Sequence, residues 1–163
     1  MTREAAPVLI AFDGSEVSRA AVRHAAELFA GRPAVLVTVW EPGLAAAAVS
    51  VGLPDTMGVG TLPPDPAIIE ATDHFQHEHA STVASEGAEF ARSVGLAAEP
   101  QAVPDDVDVA DTLIEIARER DAAVVVVGSH GISGLRTRLL GSVSRKLIDH
   151  CDRPVLVIRE HRS

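Results

Sequence analysis

Five short apolar runs rich in β-branched residues alternate with four stretches that are apolar along one side only. The first run, residues 7–12 (PVLIAF), stops at Asp13-Gly14-Ser15. A helix is then predicted over 16–30, with Val17, Ala21 and Leu28 on one face and Ala20 and Ala25 beside it. Gly31 and Pro33 punctuate its end, and residues 34–40 (AVLVTVW) form a second strand. A long helix is predicted over 67–94, with Ile68, Phe75, Val83, Phe90 and Val94 as its inward stripe and Gly95 as its cap. The strand at 96–103 contains Pro100, which cannot donate to a ladder, so it belongs at a sheet edge. Residues 108–118 form a helix with Val109, Leu113, Ile116 and Ala117 inward. The run at 122–127 holds four consecutive valines, apolar on both faces, as a fully buried parallel strand requires. A last helix over 142–150 and a last strand over 155–158 complete the series.

Strand and helix alternate throughout, with short connections. That order predicts an α/β fold: one domain, residues 1–163, built on a five-stranded parallel doubly wound (Rossmann-like) sheet with helices on both faces. Residues 41–66 break the rhythm with many glycines and prolines. This long irregular segment is either a lid or a mobile loop, and it leaves the C-terminal end of the second strand. Ligands of such sheets bind where the strand order reverses. If the first and fourth strands meet there, Asp13 and the glycines after Val127 face one crevice.

A net charge of −9 argues against a protein that coats nucleic-acid phosphates. No apolar run approaches the ~20 residues that cross a bilayer, and the first residues lack a signal-peptide layout, so a cytoplasmic location is expected. Cys151 is the single cysteine, which excludes an intramolecular disulfide.

The candidate chemistry lies in residues 124–144, VVVVGSHGISGLRTRLLGSVS. A buried strand, a glycine loop and a serine-led helix start are the parts that hold phosphate. Glycine permits φ > 0 and close approach of a ligand, and the free N–H groups and dipole of a helix start favour anions. Each part also has a plainer reading. Asp13 and Ser142 are candidate N-caps as well as candidate ligands. His130 is a candidate phosphate partner or a tolerated loop residue, and Arg136 and Arg138 either screen a triphosphate or, the preferred reading, are surface charges. His74, His77, Glu78 and His79 suggest a metal, but Ser81 stands where His-Glu-x-x-His needs its second histidine, so a solvated helix face is expected. Cys151 beside His150 has no acid partner and is read as a packed residue. The P-loop and the dinucleotide glycine fingerprint are both absent.

The opening VLIAFDGSEVSRAAVRHA and the closing DAAVVVVGSHGISGLRTRLLGSVSRKLIDHCDRPVLVIR resemble the universal stress protein family over nearly the whole chain. The nucleotide-binding branch of that family carries Gly-x2-Gly-x9-Gly-Ser/Thr, which corresponds to Gly128, Gly131, Gly141 and Ser142. The resemblance implies an ATP-binding regulatory protein that senses or buffers adenine nucleotide under stress. It implies Asp13 near the ribose or a phosphate-bound metal, the Val39 main chain at adenine, and Val127 lining the pocket. Gly128 and Gly131 would lie at the ribose and α-phosphate, and Gly141, Ser142, Val143 and Ser144 at the outer phosphates. Mg²⁺ or Mn²⁺ would bind through those phosphates, with no protein metal ligand or catalytic residue assigned. It also implies a homodimer through the bare apolar edge Val155–Ile158. A slow ATPase or autophosphorylating enzyme, and cyclic AMP or AMP as the ligand, remain the alternatives. A methyl group at Gly141 is expected to crowd the phosphate.

Overall fold

A computed structural model describes residues 5–43, 65–105, 107–131 and 140–159. In chain order the elements are β1 (Val8–Ala11), α1 (Glu16–Leu28), β2 (Pro33–Trp40), α2 (Pro66–Ser93), β3 (Ala97–Pro104), α3 (Val109–Glu119), β4 (Val124–Gly128), α4 (Ser142–His150) and β5 (Val155–Ile158). The five strands form one sheet in the order β3-β2-β1-β4-β5, and every pairing is parallel. The strand order reverses between β1 and β4, which pair from Val8↔Val124 to Ile10↔Val126. Pro100 lies in β3, an edge strand, where its missing N–H costs the ladder nothing on the open side.

The two faces of the sheet carry separate cores. On one, Val8, Ile10, Leu36 and Val126 pack under α1 and α2; on the other, Leu9, Val35, Val125 and Val127 pack under α3 and α4. Successive strand residues point to opposite faces, so an unbroken valine run fills both. The long helix α2 uses only the later part of the stripe its periodicity suggests: Val83, Phe90 and Val94 pack half-buried against the core. Ile68 and Phe75 are 57% and 67% exposed, and the buried positions are Ala80, Ala84, Gly87, Ala88 and Ala91. Only the C-terminal half of α2 lies on the sheet, and it does so through small residues that allow close approach. A β-carbon at Gly87 would stand 2.6 Å from the buried Phe12 ring.

On the opposite face one basic residue ties two helices together. Asp108 is the N-cap of α3, its carboxylate accepting from the Asp111 N–H at 2.9 Å. Lys146 of α4 donates to Asp108 and, at 2.7 Å, to Asp111. The Lys146 hydrogen bond, followed by the Asp111 N–H, holds the Asp108 carboxyl below its ordinary value of 3.8; Lys146 is raised by the same pair. A depressed carboxyl contributes stability above its ordinary pKa and loses it as pH falls through the lowered one. The raised ammonium keeps its share until pH climbs past its ordinary value of 10.5. Lys146→Met is therefore expected to lower the urea midpoint at pH 7, and the gap from wild type should close as pH falls below 3.8. An equal gap at pH 7 and pH 2.5 would show that the lost methylene packing, not charge, caused the change.

Candidate functional site

At the reversal point β1 ends first. Its pairing with β2 stops at Ala11↔Val37, while β2 continues beside β3 as far as Trp40↔Pro104. Beyond β1 a cleft of about 530 Å³ opens, bounded by the ends of β1, β2 and β4, α3, and the start of α4. That volume falls within the ~300–1,000 Å³ of small-molecule sites. All nine candidate residues line it: Asp13, Val39, Val127, Gly128, Gly131, Gly141, Ser142, Val143 and Ser144.

One part of the cleft is apolar. Val37, Val39 and Val127 contribute from the sheet, and Val109 and Leu113 from the first turns of α3. The Phe12 N–H donates to the Val37 carbonyl at 2.9 Å, so Val37 directs its main chain towards β1. Strand alternation sends the Val39 N–H and C=O the same way, past the end of β1 and along the cleft. The Thr38 hydroxyl donates to the Phe12 carbonyl at 2.8 Å and closes off the first acceptor past β1. A flat heteroaromatic ring seated on the valines would meet main-chain groups at its edge.

The other part is polar main chain. Gly141 is the N-cap of α4, with φ −63° and no side-chain cap, and its N–H donates to the Ser129 carbonyl at 2.7 Å. Ser142 is thus the first helical residue and not the cap. The N–H groups of Ser142, Val143 and Ser144 have no intrahelical carbonyl to bond and carry the positive end of the helix dipole. The buried Ser144 hydroxyl turns inward, to the Ser129 and Gly141 carbonyls at 3.3 and 3.1 Å. It ties α4 to the end of β4, which leaves only the Ser144 main chain for a ligand. Asp13 is likewise not the cap of α1. Ser15 is, and the Asp13 carboxylate accepts from the Ser15 N–H at 3.0 Å.

The glycines owe their identity to space. None of Gly128, Gly131 and Gly141 has positive φ; Gly14, with φ 80°, takes the turn that needs one. A β-carbon at Gly128 would lie 2.6 Å from Val17 Cγ1, at Gly131 2.8 Å from Asp13 Oδ2, and at Gly141 3.2 Å from the Ser129 carbonyl. The tightness at Gly141 is against the chain's own backbone, so an alanine there tests packing as much as ligand contact. Sequence reading missed Val109, Leu113 and Ser129. The first two were read as core positions of α3, since a cleft wall and a core have the same apolar period. Ser129 had the signal of lying between Val127-Gly128 and His130-Gly131.

His74 Nε2 and Glu78 Oε1 lie 3.3 Å apart on an exposed face of α2, and among the described residues there is no cluster of three metal-ligating side chains. Cys151 is half-buried against the α3–α4 core. No helix among the described residues is long and apolar enough to cross a membrane. Arg136, Arg138 and most of the 41–66 segment lie outside the described residues.

The model of the universal stress protein family matches residues 5–159. The universal stress protein YxiE of Bacillus subtilis is 29% identical over 157 residues, covering 93% of this chain and 97% of its own. The structure of MJ0577 from Methanocaldococcus jannaschii superposes with a TM-score of 0.74 at 20% identity, covering 99% of this chain and 100% of that one. The universal stress protein of Archaeoglobus fulgidus in complex with dAMP superposes with a TM-score of 0.61 at 22% identity, covering 96% and 99%.

Proposed function

The chain belongs to the universal stress protein family, and from that premise we propose that it is an ATP-binding regulatory module whose occupancy reports adenine nucleotide. The observation that carries this reading is the single cleft joining an apolar slot to a free helix N-terminus at the sheet's switch point. Adenine would lie between Val37, Val39 and Val127 on one side and Val109 and Leu113 on the other. The ribose would pass Asp13 and Gly131, and the outer phosphates would take the N–H groups of Ser142, Val143 and Ser144. A relative of the same fold in complex with dAMP supports the adenine end. The start of α4 offers the N–H groups of three successive residues to a chain of phosphates. Mg²⁺ or Mn²⁺ would bind the phosphates themselves, relieving charge that an acidic chain relieves poorly. The test is to denature the purified protein and identify what is released, then titrate refolded protein with MgATP, AMP and cyclic AMP. Release of ATP, or tightest binding of MgATP, is expected. No release and no binding at millimolar concentration would defeat the proposal.

The same reading includes a homodimer through β5. The Pro154 and Ile158 carbonyls accept from Val125 and Ser129 of the β4 side. Alternation therefore turns the main chain of Val155 and Val157 to the sheet's open edge. Val157→Pro removes an outward N–H and leaves the β4 pairing in place. The expected result is a halved mass by light scattering with unchanged far-UV circular dichroism; an unchanged dimer would place the interface elsewhere.

A further inference from the structure

Ser129 and His130 follow the end of β4, line the cleft, and have no role in the reading above. Ser129 is a largely buried residue, and its hydroxyl lies 3.1 Å from His130 Nδ1. The direction of that bond follows from satisfaction. Were Nδ1 the donor, the Ser129 O–H would need another acceptor, and none stands among the described residues. Ser129 as donor and Nδ1 as acceptor satisfies both groups within the described residues and places the neutral ring's proton on Nε2. The main chain of the pair is fixed from two sides: the Ser129 N–H donates to the Ile158 carbonyl at 2.7 Å, and its carbonyl accepts from Gly141. His130 stands at the phosphate part of the cleft, its Cα 3.6 Å from a β-carbon position on Gly141.

We infer that His130, held as the Nε2–H tautomer by Ser129, donates to the phosphoryl groups seated on the start of α4 and makes the site prefer a polyphosphate. Ser129 acts through His130 and is a positioning residue. The inference rests on the nucleotide reading and names the side chain that would tell ATP from AMP. A bond to a charged phosphate oxygen is stronger than one between neutral groups. His130→Ala is expected to weaken MgATP binding roughly tenfold or more while changing AMP binding about threefold or less. His130→Gln, whose amide N–H reaches nearly as far as Nε2, should restore most of the loss. Ser129→Ala should give an intermediate loss, because it frees the tautomer without removing the ring.

The experiment uses the full chain with ¹⁵N-labelled histidine. In the ligand-free wild type, the His130 ring shifts should report the Nε2–H form near pH 8, and Ser129→Ala should bring in the Nδ1–H form. An Nδ1–H or evenly mixed wild-type ring overturns the inference. Wild type that binds MgATP while His130→Ala binds it equally well overturns the inference and leaves the nucleotide reading standing. Wild type that binds no adenine nucleotide overturns both. Retained chemical-shift dispersion in each variant separates these outcomes from misfolding.

Discussion

Ser142→Pro is expected to remove nucleotide binding and leave the fold standing. Ser142 is the first residue of α4, where proline suits a helix because that N–H has no intrahelical partner and its ring fixes a helical φ of about −65°. The preceding residue must be extended, and Gly141, with φ −63° and ψ 165°, already is. What the substitution deletes is one main-chain donor on the cleft, and it puts ring carbons in its place. Loss of a charge-assisted bond and the added bulk predict at least about tenfold weaker MgATP binding, with the melting temperature within a few degrees of wild type. Ser142→Ala keeps the N–H and should lose far less. Calorimetric titration of the two variants decides the matter. Equal affinities for Ser142→Pro and wild type would mean that the start of α4 holds no phosphate.

The second large effect concerns Gly128, and it is expected without any ligand. An alanine β-carbon there would meet Val17 Cγ1 at 2.6 Å and the His130 carbonyl at 3.3 Å, and Val17 is only 2% exposed. Overpacking of this kind costs about 1–3 kcal/mol. Gly128→Ala should lower the urea midpoint of the ligand-free protein accordingly. Val17→Ala alone leaves a cavity and is also destabilising, by about 2 kcal/mol. The double variant should fall short of the sum by about 1–2 kcal/mol, since the smaller residue at 17 makes room for the new methyl. Strict additivity would place the conflict elsewhere. Gly128→Ala with unchanged stability but lost nucleotide binding would show that the ligand, and not α1, requires the glycine.

The contrast between those two positions shows how far the sequence carried the reading. The spacing of Gly128, Gly131, Gly141 and Ser142 singled out four residues that line one cleft. Of the two reasons the sequence offers for the glycines, positive φ and close approach, the structure removes the first. The glycines make way for Val17, for the Asp13 carboxylate and for the Ser129 carbonyl. Those neighbours come from other elements, and no local pattern names them. The caps show the same limit: Asp13 and Ser142 had the right chemistry for N-caps, but Ser15 and Gly141 hold those places.

By itself the sequence determined the order of elements, the parallel sheet, and the edge position of β3. Hydrophobic period, strand composition and the missing proline N–H are properties of neighbouring residues, and a single chain displays them directly. The tertiary structure alone decided that β1 and β4 are neighbours, that β1 stops short of β2, and that only half of α2 lies on the sheet. Each of these depends on register between segments far apart in the chain. Register is set by the simultaneous packing of both faces, which no one segment encodes.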